Sequence, residues 1–410
     1  MRTERDKVKL PFGHVNNDFD RVLYDEICRG LAIQPQYEDV DMFSEGVASV
    51  SRDGACGYID KSGNDVIPFL FSEAYPFSEG RAAVVVNGKS GLIDRSGAYI
   101  VKPKLDRVIA VNGGYATVER DGKHGFVDPS GNVSFFSGLQ MIYPISDGMF
   151  LVADAVNSER YGYLSSDGEE ISPCVYDDAR YFYEGRAAVS ENEKWGFVDR
   201  TGALVIPFRF DEAWNFEDGL AIVEVDGKQG YIGPDGEYVL PPVFDDAMYF
   251  SDGLAAVRQN GRVGYVNRAG EIAVPLAFDE SYHFREGLAA VRAGDAIGYV
   301  DKSGDLVIPP LYEEAFDFEN GRAVVAQNGK YGIIDAAGQL VLPCEFDYLF
   351  DADGGYVIAY RGGRLGVLDP AGRATLPFGC IGCYPFSDGM AWMAVGSNWG
   401  AFGSEHAAAL

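Results

Sequence analysis

One segment of 34 residues recurs from end to end of this 410-residue chain, and that recurrence restricts the fold more than any other feature. From Phe43 the same position returns at Phe77, Val111, Ile145, Phe182, Phe216, Phe250, Phe284, Phe318, Ala352 and Phe386. Every step is 34 residues except Ile145 to Phe182, which is 37, with the extra residues in ADAVNSER at 153–160. Three glycines recur inside the unit, as at Gly253, Gly264 and Gly270, and they supply most of the 51 glycines. A glycine content of about 12% against an ordinary value of about 7% is therefore a property of the repeat. Ten full units span 43–385, preceded by a partial unit at 30–42 and followed by another at 386–403. Residues 1–29 form an N-terminal segment expected to be degenerate or flexible, and 404–410 a C-terminal tail. The unit at 111–144 is the most degenerate, lacking the proline and the acidic pair of the others.

Each unit reads as three short strands. The first alternates by residue: Ala255 and Val257 keep one face constant while Arg258 and its counterparts vary, the pattern of a half-buried strand. A constant Ala implies close approach of a neighbour that leaves no room for a larger group. Asn-Gly or Asp-Gly follows, as at Asn260-Gly261 and Asp226-Gly227, and these pairs accept the positive φ of a type I′ hairpin. A second strand of the GYID type leads to an Asp-x-x-Gly turn, as from Asp301 to Gly304. The third strand, LVIP, is expected to end at its proline, and a turn-like F-D-E-A segment leads to the next unit. A three-stranded sheet of this size cannot bury its own apolar face, so neighbours must stack on it. The expected fold is all-β: tandem 34-residue three-stranded antiparallel units stacked as an open, elongated or superhelical array. The alternative is a closed propeller-like ring, favoured by a chain that starts with a last strand and ends with first and second strands. Propellers usually have 4–8 four-stranded blades of about 40 residues, which weighs for the open array.

The unit FYEGRAAVSENEKWGFVDRTGALVIPFRFDEAWN, from Phe182, resembles the WG repeat, also called the KWG repeat, with Lys194-Trp195-Gly196 as the naming motif. The resemblance covers about nine tenths of the chain, although most units replace the Trp, which stands only at Trp195 and Trp399, with Tyr161 and Tyr331 elsewhere. It implies a bacterial β-rich repeat that mediates binding.

Composition excludes several functions. A net charge of −28, from 34 Lys and Arg against 62 Asp and Glu, argues against nucleic acid and anionic membranes as partners and favours a basic one. No run of 18 apolar residues suggests a membrane span, and no apolar stretch follows the first charged residues, so a cytoplasmic location with reduced thiols is expected. Enzymatic constellations are absent. Asn87-Gly88-Lys89-Ser90 has the ending of a phosphate loop but is the hairpin turn of its unit. Cys380 and Cys383 have the spacing of a zinc or redox pair, yet Cys380 takes the place of Phe210 and Phe244, and Cys383 that of Ala213 and Ala247, so both read as apolar fillers. His14, His124, His283 and His406 are isolated. No catalytic residue, metal or cofactor is expected.

Two repeated features could bind a partner. An acidic ladder runs through Asp211-Glu212, Asp245-Asp246, Asp279-Glu280 and Glu313-Glu314, while Lys and Arg collect at the turns. It reads either as an electronegative stripe for a basic partner or weak Ca²⁺ sites, or as turn-capping carboxylates with local ion pairs. An aromatic series, Tyr75, Trp214, Tyr282, Phe316, Phe350 and Tyr384, is broken by Arg180 and Met248. It reads either as a binding surface or as core between units. The expected function is a non-catalytic repeat scaffold for protein–protein interaction, its partner a protein and basic in character. The alternative is a glycan or cell-envelope binding module that uses the aromatic series.

Overall fold

The computed structural model describes residues 21–154, 160–350 and 353–404. The middle of the 153–160 insertion, Ala352, His14 and His406 lie outside the described residues. The described strands form eleven antiparallel sheets of four strands each. Ten sheets use four consecutive strands, here lettered A to D. In the seventh, A is Asp246–Ala247, B is Leu254–Gln259, C is Arg262–Asn267 and D is Ile272–Phe278. The eleventh takes A, B and C from the end of the chain, Gly382–Cys383, Met390–Val395 and Asn398–Gly403, and D from its start, Ile33–Tyr37.

That shared sheet closes the chain on itself. Ile33 pairs with Ala401 and Tyr37 with Trp399. The eleventh blade then packs on the first: Trp392 Nε1 donates to the Asp41 carbonyl at 2.8 Å, and Ser387 Oγ to the Phe43 carbonyl at 2.5 Å. Phe43 and Trp392 stack with ring centroids 5.4 Å apart. The architecture is an eleven-bladed propeller ring, which overturns the expected open array. The physical reason lies at the ends. An open array would leave Phe43 on one terminal face and Trp392 on the other, whereas closure buries both in one cluster with Ile33, Tyr37 and Tyr384.

Two finer expectations are also corrected. Each blade has four strands, because the F-D-E-A segment contributes a short A strand, as at Asp246–Ala247 or Glu314–Ala315. Two residues are too few to show a period. The third predicted strand does not stop at its proline. In the seventh blade Val263 pairs with Phe278 and Tyr265 with Val274, so two residues of C face four of D across a bulge that contains Pro275. Strand D is an edge strand, where a missing N–H costs no ladder bond and discourages pairing with another chain. Beside the short A strands side chains bridge neighbouring blades directly: Arg180 Nε donates to the Ala213 carbonyl at 2.7 Å.

The hairpin turns are as expected. Asn260 and Gly261 have φ of 52° and 75°, and Asp226 and Gly227 have 52° and 70°. Residues 21–29 belong to the N-terminal segment expected to be degenerate or flexible. Residues Arg21–Gly30 form a helix whose Ile27 is buried with Leu376 and Cys380 of the tenth blade.

The core is divided among the blade junctions. A representative cluster joins Tyr265, Val274 and Phe278 of the seventh blade to Phe284, Ala289 and Val291 of the eighth. Tyr265 lies edge-on to Phe284 at 4.6 Å, and its hydroxyl donates to the Tyr282 carbonyl at 2.7 Å. The recurrent Ala is the contact point of this packing. Ala255 is fully buried between the sixth and seventh blades, so Ala255→Leu should cost about 1–3 kcal/mol in denaturant unfolding. Arg258, which varies between units, nonetheless donates to the Asp279 carbonyl of the next blade at 3.2 Å, so Arg258→Leu should cost about 1 kcal/mol.

Candidate functional site

The antiparallel order of A, B, C and D places the A–B and C–D turns on one face of the ring, and the B–C hairpin and D–A link on the other. The repeated charges fall on both faces, and most of them join blade to blade.

On the first face the residue before the first glycine of most units is an acid that reaches across a junction. Glu45 accepts from Gly80 N–H at 3.0 Å, Glu184 from Gly219 at 2.8 Å, Asp252 from Gly287 at 2.9 Å and Asp388 from Gly46 at 2.6 Å. The cation after the C–D turn aspartate joins the same carboxylates: Arg95 meets Glu45 at 3.0 Å and Lys302 meets Asp252 at 2.7 Å. These acids adopt the left-handed conformation, with φ of 55° at Glu45 and 50° at Glu184. A glutamate there is strained by about 1–2 kcal/mol, and the bonds to the next blade offset that strain.

On the opposite face the acidic ladder does the same for the hairpins. Asp211 accepts from the Asp226 N–H of its own blade at 2.7 Å and pairs with Lys194 of the preceding blade. Asp245 pairs with Lys228 and Asp279 with Arg262, and Glu313 accepts from Gly329 N–H at 2.8 Å. The second members of the pairs are also engaged. Glu212 pairs with Arg180, Glu280 with Arg292 at 2.9 Å, Glu314 accepts from Tyr331 Oη at 2.7 Å, and Asp246 accepts from Ala247 N–H at 3.1 Å. Of the two readings of the ladder, the turn-capping one describes these contacts.

The ammonium groups hold their carboxylates below the usual range: Lys89 acts on Asp106, Lys194 on Asp211, Lys228 on Asp245 and Lys330 on Asp347. A depressed folded-state pKa contributes stability that is present above the unfolded carboxylate value near 4 and is lost as pH falls through the folded value. The melting temperature should therefore hold from neutral pH to about 4 and fall below it. Asp211→Asn with Asp245→Asn should flatten that fall, as read by thermal scans at stepped pH.

The naming motif has a physical reading residue by residue. Lys194 supplies the ion pair to Asp211 of the next blade. Trp195 is buried opposite Phe210, with the Arg180 guanidinium 4.9 Å from its ring centroid. A Cβ on Gly196 would lie 2.5 Å from the Ile206 carbonyl of strand D.

The aromatic series divides. Tyr384 is only 5% exposed and packs on Trp399 at 5.0 Å, while Tyr75, Trp214 and Phe350 are half-buried. Tyr282 and Phe316 are 39% and 43% exposed, and Met248, which interrupts the series in sequence, is 37% exposed. These three occupy equivalent places in consecutive blades, because each carbonyl accepts from a tyrosine of the preceding blade: Tyr231 to Met248, Tyr265 to Tyr282 and Tyr299 to Phe316. A cavity of about 270 Å³ lies beside Tyr282, Glu314 and Phe316. The sequence reading left out Met248 because it is not aromatic, although its position in the unit was the signal.

Cys380 and Cys383 are buried in the apolar cluster between the last two blades, and burial pushes the Cys383 thiol up to about 12 and that of Cys380 higher. Among the described residues no group of three His, Cys, Asp or Glu side chains is placed to hold a metal ion. No described helix is long and apolar enough to cross a membrane.

Comparison with known proteins gives one strong match. The family model described as "WG containing repeat" fits nine times, over 30–55, 57–89, 91–123, 161–195, 195–228, 230–262, 264–295, 297–331 and 331–364. No curated protein matches. Among solved structures, a eukaryotic initiation factor is 12% identical, with 73% of this chain covering 95% of that one at a TM-score of 0.42. Kluyvelomyces marxianus Hsv2 is 9% identical over 54% of this chain and 88% of that one, at 0.32. Dihydro-heme d1 dehydrogenase NirN is 14% identical over 72% of each chain, at 0.31. Likeness at this level carries nothing about function.

Proposed function

The chain belongs to the WG-repeat family, and from that premise we propose that it is a non-catalytic, cytoplasmic scaffold whose partner is another protein. The observation that carries the reading is the exposed row Met248, Tyr282 and Phe316, set at one register in three consecutive blades. Large apolar side chains aligned on a rigid frame, with Glu280 and Glu314 beside them, suit a partner that offers apolar groups flanked by basic ones. Most other repeated charges are engaged in junctions, whereas this row is an exposed apolar surface that varies from unit to unit. A glycan ladder has less support, because Tyr384 is buried and the rings form no continuous row.

Co-purification from native lysate at low and high salt, with wild type beside the triple variant Met248→Ala, Tyr282→Ala and Phe316→Ala, tests this reading. A basic partner held at low salt by wild type and lost by a variant with an unchanged melting temperature is the expected result. Absence of any partner at both salts, or equal recovery by the variant, would overturn it.

A further inference from the structure

An Asn-Gly pair is where a chain reacts most readily with itself, because glycine sets no side chain beside the nitrogen that approaches the preceding carboxamide carbon. Five such pairs occur here: Asn87-Gly88, Asn112-Gly113, Asn260-Gly261, Asn320-Gly321 and Asn328-Gly329. Four of them are clamped by a carboxylate. Gly113 N–H donates to Glu79 at 2.9 Å, and the Asn112 carboxamide donates to the Ile145 carbonyl at 2.7 Å. The N–H groups of Asn320 and Gly321 both donate to Glu286 at 2.8 Å. Those of Asn328 and Gly329 donate to Glu313 at 3.0 and 2.8 Å. Lys228, and after it the N–H groups of Gly261 and Asn260, hold the Asp245 carboxyl below its usual range.

Asn87-Gly88 is the exception. The ladder position that Asp245 and Glu313 fill in their blades is Ser72 in the second blade. The Ser72 hydroxyl donates to the Val85 carbonyl at 3.0 Å and leaves the turn alone. The Gly88 N–H and the Asn87 carboxamide have no partner among the described residues. Both residues are exposed, and no atom lies within 4 Å of the point where a Cβ on Gly88 would stand, so the turn has room to rearrange.

We propose that Asn87 is a site of self-modification, converted to isoaspartate through a succinimide with Gly88, and that the carboxylate clamps protect the other four pairs. The Gly88 amide proton passes to a base in solvent, and the nitrogen bonds to Asn87 Cγ. The Cγ–Nδ2 bond breaks, and Nδ2 leaves as ammonia with the proton returned to it. Water then opens the ring. Addition at the Asn87 main-chain carbonyl breaks its bond to Gly88 N and leaves the chain running through Cβ and Cγ, whereas addition at Cγ gives aspartate. Nothing is oxidised or reduced. A carboxylate on the glycine N–H opposes the first step twice: it sets negative charge against a nitrogen that must itself become negative, and it holds a peptide that must rotate toward Cγ. The inserted carbon falls in the turn that pairs Val86 with Lys89, and Lys89 is tied to Asp106 of the third blade, so modification loosens that junction. The proposal is independent of the row at Met248, Tyr282 and Phe316.

Peptide mapping of the full chain by mass spectrometry, after ageing in warm and mildly alkaline buffer, reads all five pairs in one sample. Asn87 should lose its amide about tenfold or more faster than Asn260 and Asn328, the effect of one charge-assisted hydrogen bond, with isoaspartate as the larger product. In urea, where the clamps are gone, the five rates should converge. Ser72→Asp, which restores the ladder acid, should slow Asn87 about tenfold, and Glu313→Ser should bring Asn328 to the rate of Asn87. Equal rates in the folded chain, a difference that persists in urea, or a rate that either folded variant leaves unmoved would overturn the proposal. If Ser72→Asp does not fold, Glu313→Ser and the urea comparison decide.

Discussion

A chain carrying Ile33→Cys and Ala401→Cys should form a disulfide on mild oxidation, migrate faster on a non-reducing gel and gain up to about 5 kcal/mol in unfolding free energy. The two residues are partners in the ladder between the first and last strands of the ring. Antiparallel partners have Cα atoms about 4.5–5.5 Å apart, inside the span a disulfide bridges. The bond would close nearly the whole chain, so the denatured state loses the most entropy that a single cross-link can remove here. In an open array the two positions lie at opposite ends, and no intramolecular bond forms. Single-cysteine controls separate the new bond from the six native thiols. Absence of the fast-migrating species would remove the closed ring from consideration.

Gly230→Ala should be among the most damaging one-carbon changes in the molecule. Its Cβ would lie 2.6 Å from the Leu240 carbonyl oxygen and 2.6 Å from Pro242 N, both backbone atoms that cannot swing aside. Relief requires strand D to move off strand C, with loss of the Gln229–Phe244 pairing and loosening of the cluster around Tyr231. We expect about 3 kcal/mol or more. Gly219→Ala in the same blade provides the control. Gly219 has φ of 77° but open space around it, so alanine meets only the left-handed strain of about 1–2 kcal/mol. Denaturant unfolding of the two variants measures the difference. Equal losses would mean that the glycine of the naming motif serves backbone conformation and not the close approach of strand D.

The local parts of the blade were legible in the sequence because they are written in neighbouring residues. Asn260-Gly261 specifies its turn through the backbone freedom of those two residues, and the alternation around Ala255 specifies a strand with one buried face. The charged residues were legible as types but not as pairs. Lys194 and Asp211, or Glu45 and Gly80, belong to different units, and no local rule states which junction they span. The same holds for the aromatic series. Tyr384 and Tyr282 occupy one column of the repeat, yet one packs on Trp399 of the closing blade and the other faces solvent.

The period of 34 residues, its turns and its apolar columns determined a β module that must be covered by copies of itself, because one small sheet cannot hide its own apolar face. Whether the last copy would cover the first was decided by the tertiary structure alone. That outcome depends on the small tilt added at every junction and summed around the whole chain, a quantity set by how Tyr, Phe and Ala pack between blades and encoded in no single unit.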